Sequence, residues 1–341
     1  MRILVHTRFY PSVGGIETVA RILAQEWVKQ GESVTVVTDV PADPASKIVF
    51  PFPVSHRPSP PTWIGLLRTH DVFVHFNISL RALWPLLFVR RPFVAVHHGF
   101  YTIDRSGNRD WKETLKLRLT KRANKNIAVS EAIAKAIRIP CRVIPNPYDP
   151  TVFKVGAEQA RPKDLIFVGR LVSDKGADTL LNALAILRER KLRPQLTIVG
   201  DGPERAALET LAAKFALSDQ VTFAGLKTQQ EIAAIMQQHK IIVVPSLWHE
   251  PFGIVALEGI ASGCVAIASE AGGLSEAVGP CGITFPNGDA TALANRIAEL
   301  LNDETRMSEL LHPANAHLAK HDPSCISAQY LDVIGAVVCR S

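Results

Sequence analysis

The sequence predicts an α/β protein made of two doubly wound parallel-sheet domains, and three observations carry that expectation. Short β-branched apolar runs of buried-strand length alternate along the chain with stretches of helical period, a pattern that sets a parallel sheet beneath helices on both faces. The alternation breaks in the polar, proline-broken segment 145–163 and then restarts. The length of 341 residues suits two domains of ordinary size, each with a sizeable core. The domains are expected at 1–155 and 156–322.

In chain order, residues 2–7 read as the first strand. A helix follows over 15–30, with Ile16, Val19, Leu23, Trp27 and Val28 on one face and Gly31 where a helix stop belongs. Strands are expected at 33–38, 71–76, 93–97, 126–130 and 142–145. Residues 40–63 contain Pro41, Pro44, Pro51, Pro53, Pro58, Pro60 and Pro61 and read as a long irregular connection. In the second domain, strands are expected at 165–169, 196–199, 221–223, 241–246, 265–269 and 283–285, and a last helix at 323–338. Two such domains joined by a short linker imply a cleft, with ligands outside the carboxyl ends of the strands.

Composition is that of a soluble globular protein. Five cysteines, scattered and odd in number, suit neither a disulfide framework nor a Cys-x-x-Cys metal site, so a reducing cytoplasm is expected. Residues 1–11 read as a first strand rather than a signal peptide, and no uncharged apolar run reaches membrane-spanning length. The formal charge of +6 is uneven: residues 1–150 hold 21 Lys+Arg against 11 Asp+Glu. Such a half favours an acidic partner. The run 111–125, WKETLKLRLTKRANK, with Lys112, Lys116, Arg118, Lys121, Arg122 and Lys125 beside Trp111, Leu115 and Leu119, reads either as a basic amphipathic helix for anionic lipid or as a solvated helix. Nothing points to nucleic acid.

The most informative stretch is 241–263, IIVVPSLWHEPFGIVALEGIASG: a strand, a loop and a helix through Ile254, Leu257, Ile260 and Ala261. Gly253 permits close approach of a ligand to backbone, and the new helix presents unpaired N–H groups beside it, which suits a phosphate or a sugar oxygen. Glu250 and Glu258 would repel phosphate, so they are expected to accept hydrogen bonds from hydroxyls. Hydroxyls and phosphate in one ligand suggest a sugar nucleotide. This paired-glutamate motif, EPFGIVALE, resembles that of retaining GT-B glycosyltransferases of family GT4, as does VGRLVSDKG at 168–176, and the resemblance covers almost the whole chain.

The resemblance implies a GT-B fold whose first domain lies on the acceptor side, whose second holds the nucleotide-sugar donor, and whose last helix (323–341) packs back on the first. It gives Glu250 contact with the transferred sugar, the backbone of Phe252, Gly253, Ile254 and Val255 contact with sugar or phosphate, and Glu258 the ribose hydroxyls. Arg170 and Lys175, after the strand ending at Gly169, would bind the donor diphosphate and stabilise charge on the departing oxygen. Gly14-Gly15 in FYPSVGGIE resembles the family's glycine loop. It fails as a dinucleotide fingerprint, although Asp39 partly imitates the ribose acid. His98, in an HG pair after FVAVH, resembles the active-site histidine; His97, on the other face of the strand, is expected to be a core histidine. Gly200, Gly202, Leu226 and Lys227 resemble nucleotide-lining positions, and Gly272-Gly273 a similar loop.

The expected reaction moves a sugar, with retained anomeric configuration, from a UDP-sugar ahead of a GDP-sugar to a glycan, lipid-linked or small-molecule hydroxyl. No cofactor or metal is expected, since there is no Asp-x-Asp or His-x-x-x-His and Arg170 and Lys175 can supply the positive charge. A nucleotide-sugar epimerase of the same fold and a non-catalytic nucleotide-sugar binding protein are the rival readings. The intact Glu250, Arg170, Lys175 and His98 count against the second.

Overall fold

The computed structural model describes residues 1–11, 14–45, 48–101, 111–156 and 160–339, with backbone alone at Lys112. Internal contacts divide the chain into a first unit, Met1–Pro147 with His321–Ser341, and a second, Tyr148–Lys320. The division falls ahead of the boundary at 155 that the polar segment suggested.

The first unit holds a parallel sheet of β1 (Arg2–His6), β2 (Ser33–Thr38), β3 (Val54–His56), β4 (Val72–Phe76), β5 (Phe93–His97), β6 (Lys125–Ala128) and β7 (Arg142–Val143). Their spatial order is β3-β2-β1-β4-β5-β6-β7. Strands β4 and β5 are buried along their whole length, which is why, His75 and His97 apart, they read as apolar runs rather than as alternation. The helix Gly15–Lys29 buries Val19, Leu23 and Trp27. The helix Pro323–Val338, which opens with Asp322 capping Ser324 N at 2.9 Å, belongs to the same unit: Tyr330 lies 6.1 Å from Trp27 between ring centroids, and Gln30 donates to Ser327 Oγ at 3.1 Å.

Residues 40–63 are not wholly irregular. Strand β3 pairs with β2 through Val36–Val54, Val37–Ser55 and Thr38–His56, and a helix begins at Pro60. Pro53 and Pro58 sit just outside the strand, where neither has to donate a ladder N–H, and Pro53 O still accepts from Val36 N at 2.9 Å. Pro60 and Pro61 occupy the first helical turn, where a missing N–H costs nothing, behind the cap Ser59. The basic run 111–125 is likewise not one helix. It is helical over Trp111–Thr120, and Lys125 opens β6. Lys116 pairs with Glu113 at 2.5 Å, and the Lys112 side chain lies outside the described residues.

The second unit holds β8 (Lys163–Val168), β9 (Leu196–Val199), β10 (Val221–Gly225), β11 (His239–Val244), β12 (Val265–Ser269) and β13 (Gly282–Phe285), parallel and in the order β10-β9-β8-β11-β12-β13. Leu165, Phe167, Ile198, Ile241, Val243 and Ile267 form its core with Leu180, Leu184 and Leu187 of the helix Ala177–Glu189 and Leu293 and Ile297 of the helix Ala290–Leu301. Burial of each such side chain contributes about 1.5–3 kcal/mol. Strand β11 starts at His239, before its first apolar residue, because that imidazole is satisfied by Ile235 O at 2.7 Å and Thr197 Oγ1 at 2.8 Å. In each unit the winding reverses beside the first strand, between β1 and β4 and between β8 and β11, and loops leaving such neighbours in opposite directions open a crevice at the strand ends.

Candidate active site

In the second unit the crevice is built by the loops after β8 and β11. The β8 loop runs through Gly169 and Arg170 to the 3-10 turn Ser173–Lys175. The β11 loop, 245–253, is stitched to it by Leu247 N donating to Asp174 O at 2.9 Å. Ser269 Oγ and Asn287 Nδ2 hold Ser246 O from the other side, at 2.8 and 3.1 Å. These bonds bring Lys175 Nζ onto Glu250 Oε1 as an ion pair, and the same carboxylate oxygen accepts from Ser246 Oγ at 2.9 Å. The Glu250 backbone is also fixed, by Gly273 N at 2.7 Å. Arg170 is exposed, leaving its guanidinium available to a ligand.

Gly253 stands at φ +99 as the cap of the helix Ile254–Ala261, a conformation closed to most side chains, and a Cβ there would lie 2.3 Å from Leu274 Cδ2. The first turn of that helix carries no acid, so the amides of Ile254 and Val255 offer partial positive charge to an anion. The Phe252 side chain is buried, so only its backbone is available to a ligand. Glu258 lies a turn further along the helix and is partly buried. Burial pushes its carboxyl up to about 7, and the neighbouring charge of Asp149 adds to the shift. Asp149 is held by Thr151, with N at 3.1 Å and Oγ1 at 2.5 Å from Oδ1.

Gly200 and Gly202 serve packing in this structure: a Cβ at either would strike the carbonyl of Gly169 or Leu171 at 1.9 or 2.2 Å. They let the β9 loop lie against the β8 loop and so shape the Arg170 turn. After β10, Leu226 is 76% exposed, and Lys227 lies 3.6 Å from Glu231 in the turn capped by Thr228.

The first unit has its own cavity, of about 710 Å³, at the β1–β4 crevice; His6, Arg8, Gly15, Glu17, Asp39, Arg57, Asn77 and Ser79 are among its walls. Gly14 caps the helix that Gly15 opens, while Ser12 and Val13 of the glycine loop lie outside the described residues. Behind the wall residue His6 lies the buried His75, whose proton position follows from its partner. Ser79 N donates to His75 Nε2 at 2.8 Å, so the ring hydrogen of neutral His75 sits on Nδ1, which lies 3.2 Å from His6 Nδ1. The same His75 Nδ1 lies 3.3 Å from His6 O, and on its far side the His6 ring places Nε2 3.6 Å from Asp39 Oδ2. Burial is the main cause that pushes His75 down to about 3, and the His6 contact holds the Asp39 carboxyl below its ordinary range.

His97 and His98 differ as strand alternation predicts. His97 bonds Tyr101 Oη and Asn126 Oδ1, each at 3.0 Å. His98 stacks on Phe76 at 5.3 Å between centroids, and burial pushes it down to about 3. Its Nε2 is buried without a partner among the described residues. A buried polar atom left unpaired is costly, and bonding to a ligand would relieve it.

The arrangement therefore brings Lys175, Glu250, Gly253, Ile254 and Val255 together, with Arg170 on the connected loop. Among the described residues no cluster of His, Cys, Asp or Glu suited to a metal occurs. Sequence reasoning missed Ser246, Asp149, His6, His75 and Asn77. Only Ser246, four residues before Glu250, carried a local clue. Asn77 adopts φ +58, which its type tolerates and no pattern announces.

Two family profiles match successive parts of the chain: Glycosyltransferase Family 4 over residues 13–152 and Glycosyl transferases group 1 over 149–316. D-inositol 3-phosphate glycosyltransferase of Stackebrandtia nassauensis is 33% identical over 58% of this chain and 49% of its own length. The chain thus spans about half the length of that curated relative. An uncharacterized glycosyltransferase of Methanocaldococcus jannaschii is 27% identical over 82% of this chain and 83% of its own. Sucrose-phosphate synthase of Thermosynechococcus elongatus superposes with a TM-score of 0.84, and Anabaena HepE in complex with UDP and glucose with 0.82. Both are 22% identical, matching 100% and 98% of this chain and 100% of theirs, and they establish the fold as GT-B. With both profiles matched in succession and the paired-glutamate loop assembled at the β8–β11 crevice, the chain belongs to the group 1, family 4 glycosyltransferases.

Proposed function

We propose that this chain transfers a sugar, with retained anomeric configuration and without a metal, from a nucleotide diphosphate donor to an acceptor hydroxyl. The observation that carries the reading is the Lys175–Glu250 pair beside an acid-free helix N-terminus at the winding reversal of the second unit. Cation, acceptor oxygen and amide donors there match the departing phosphate, the sugar hydroxyls and the bridging oxygens of such a donor. When the bond from sugar to phosphate breaks, negative charge grows on the departing oxygen, and Lys175, Arg170 and the Ile254 and Val255 amides stabilise it. Glu258 accepts from the ribose hydroxyls, Glu250 accepts from the sugar hydroxyls, His98 accepts from or donates to a sugar hydroxyl, and Leu226 and Lys227 lie beside the base. UDP is the preferred nucleotide ahead of GDP, in keeping with the UDP seen in the structurally similar HepE. A glycan, lipid-linked or small-molecule acceptor is assigned to the polar cavity of the first unit. The described cysteines are all free, which suits work in the reducing cytoplasm.

Calorimetric titration with UDP, GDP and ADP, followed by NMR of the product anomer from the preferred sugar donor, tests the reading. Expected are binding of UDP above the others and a product of the donor's own configuration. No binding of any nucleoside diphosphate, or an inverted product, contradicts it.

A further inference from the structure

We propose that the first unit carries a docking surface for an anionic lipid bilayer, formed by the apolar tip Leu87–Phe88 and the arginines around it. The run LWPLLFVRRP folds into the 3-10 turn Trp84–Leu87, held down by buried Leu83, Pro85 and Val89. That anchoring leaves Leu87 73% and Phe88 70% exposed. Single exposed apolar residues are common, but two adjacent large ones on an anchored turn remain in water at a cost. Their frame is cationic. Arg90 is exposed, and the Arg91 guanidinium donates to Leu67 O at 2.9 Å and Arg68 O at 2.5 Å, tying the end of the helix Pro60–Thr69, with exposed Arg68, to this segment. Residues 44–103 contain six Lys+Arg and one acid, Asp71, and Asp71 is already paired with Arg2 at 2.7 Å.

Apolar side chains standing out of an arginine frame match a bilayer whose acyl boundary takes the former and whose phosphates take the latter. A nucleic acid would engage the arginines and leave Leu87 and Phe88 in water. A second copy, packing the same patch on itself, would bring Arg90 and Arg68 against their own equivalents. Of these three the bilayer satisfies both parts, and this inference does not depend on the proposed transfer reaction.

The test is co-sedimentation of the whole chain with vesicles of phosphatidylcholine alone or mixed with phosphatidylglycerol, at low and high salt. The protein is expected with the mixed vesicles at low salt and in the supernatant otherwise. Arg90→Gln should weaken partitioning roughly fivefold, the equivalent of about 1 kcal/mol for one basic residue at an anionic surface. The double variant L87S/F88S should weaken it at least about tenfold while keeping the melting temperature, since both side chains are exposed. Wild-type protein left in the supernatant with both vesicle types overturns the proposal. So does a concentration-dependent increase in mass that L87S/F88S abolishes, or oligonucleotide binding without vesicle binding.

Discussion

Glu258→Gln should separate stability from function, because the carboxyl is held where its charge is costly. Burial and the charge of Asp149 raise it from an ordinary 4.5 to about 7. Between those values the unfolded chain has released its proton while the folded chain keeps it, so the folded state loses stability as pH rises through the window and carries the full penalty above pH 7. The shift corresponds to at most about 3 kcal/mol, and partial exposure of the residue lowers this to about 1–3 kcal/mol. Glutamine has no charge to desolvate. The variant should therefore match wild type near pH 4 and exceed it at pH 8, by about 2–4 °C in melting temperature for each kcal/mol in a unit of this size. Donor binding should move the other way: hydrogen bonds from ribose hydroxyls to an ionised carboxylate are worth about 1.5–3 kcal/mol, so affinity for a UDP-sugar at pH 8 should fall by about 10- to 100-fold. Wild-type affinity should itself rise from pH 6 to pH 8 as Glu258 ionises, and that of the variant should not. Thermal denaturation and calorimetry at pH 5, 6, 7 and 8 read both effects. Parallel stability profiles for the two proteins would refute the burial argument, and equal donor affinities would refute the ribose role.

Lys175→Ala should lower turnover by about 10² to 10³ with a smaller change in donor binding, because the charge it meets is largest in the transition state. Activity should persist in a chelator, and recovery of chelator-treated protein only on addition of Mg²⁺ or Mn²⁺ would contradict a metal-independent reaction. His98→Phe keeps a ring against Phe76 and removes a buried nitrogen that lacks a partner. It should keep or raise stability, by up to about 1–2 kcal/mol in denaturant unfolding, while turnover collapses. A destabilised variant with normal turnover would make His98 a structural residue.

The legible and illegible parts of this protein divide along one physical line. Strands such as β4, β5 and β12 are buried from end to end, so they stand out as apolar runs whatever their neighbours. That Arg170, Lys175, Glu250 and Gly253 lie in the loops after β8 and β11 is legible because each loop directly follows an apolar strand run. Strand β3 was not readable: its three residues extend because β2 offers a ladder, and the prolines around it look like breakers until they are seen outside the strand and in a first helical turn. The His6–His75–Asp39 chain needs residues from three strand ends, and it forms only because β1 lies between β2 and β4. Local pattern encodes that a strand exists but not which strand lies beside it. Each unit places its polar cluster where its winding reverses: the imidazole chain and cavity beside β1, and the ion pair with its helix N-terminus beside β8. A reversal leaves two adjacent strand ends uncovered by any connection of their own, so side chains from loops far apart in sequence meet there. In both units, then, strand order rather than any single motif selects which of the many polar residues are brought together at the crevice.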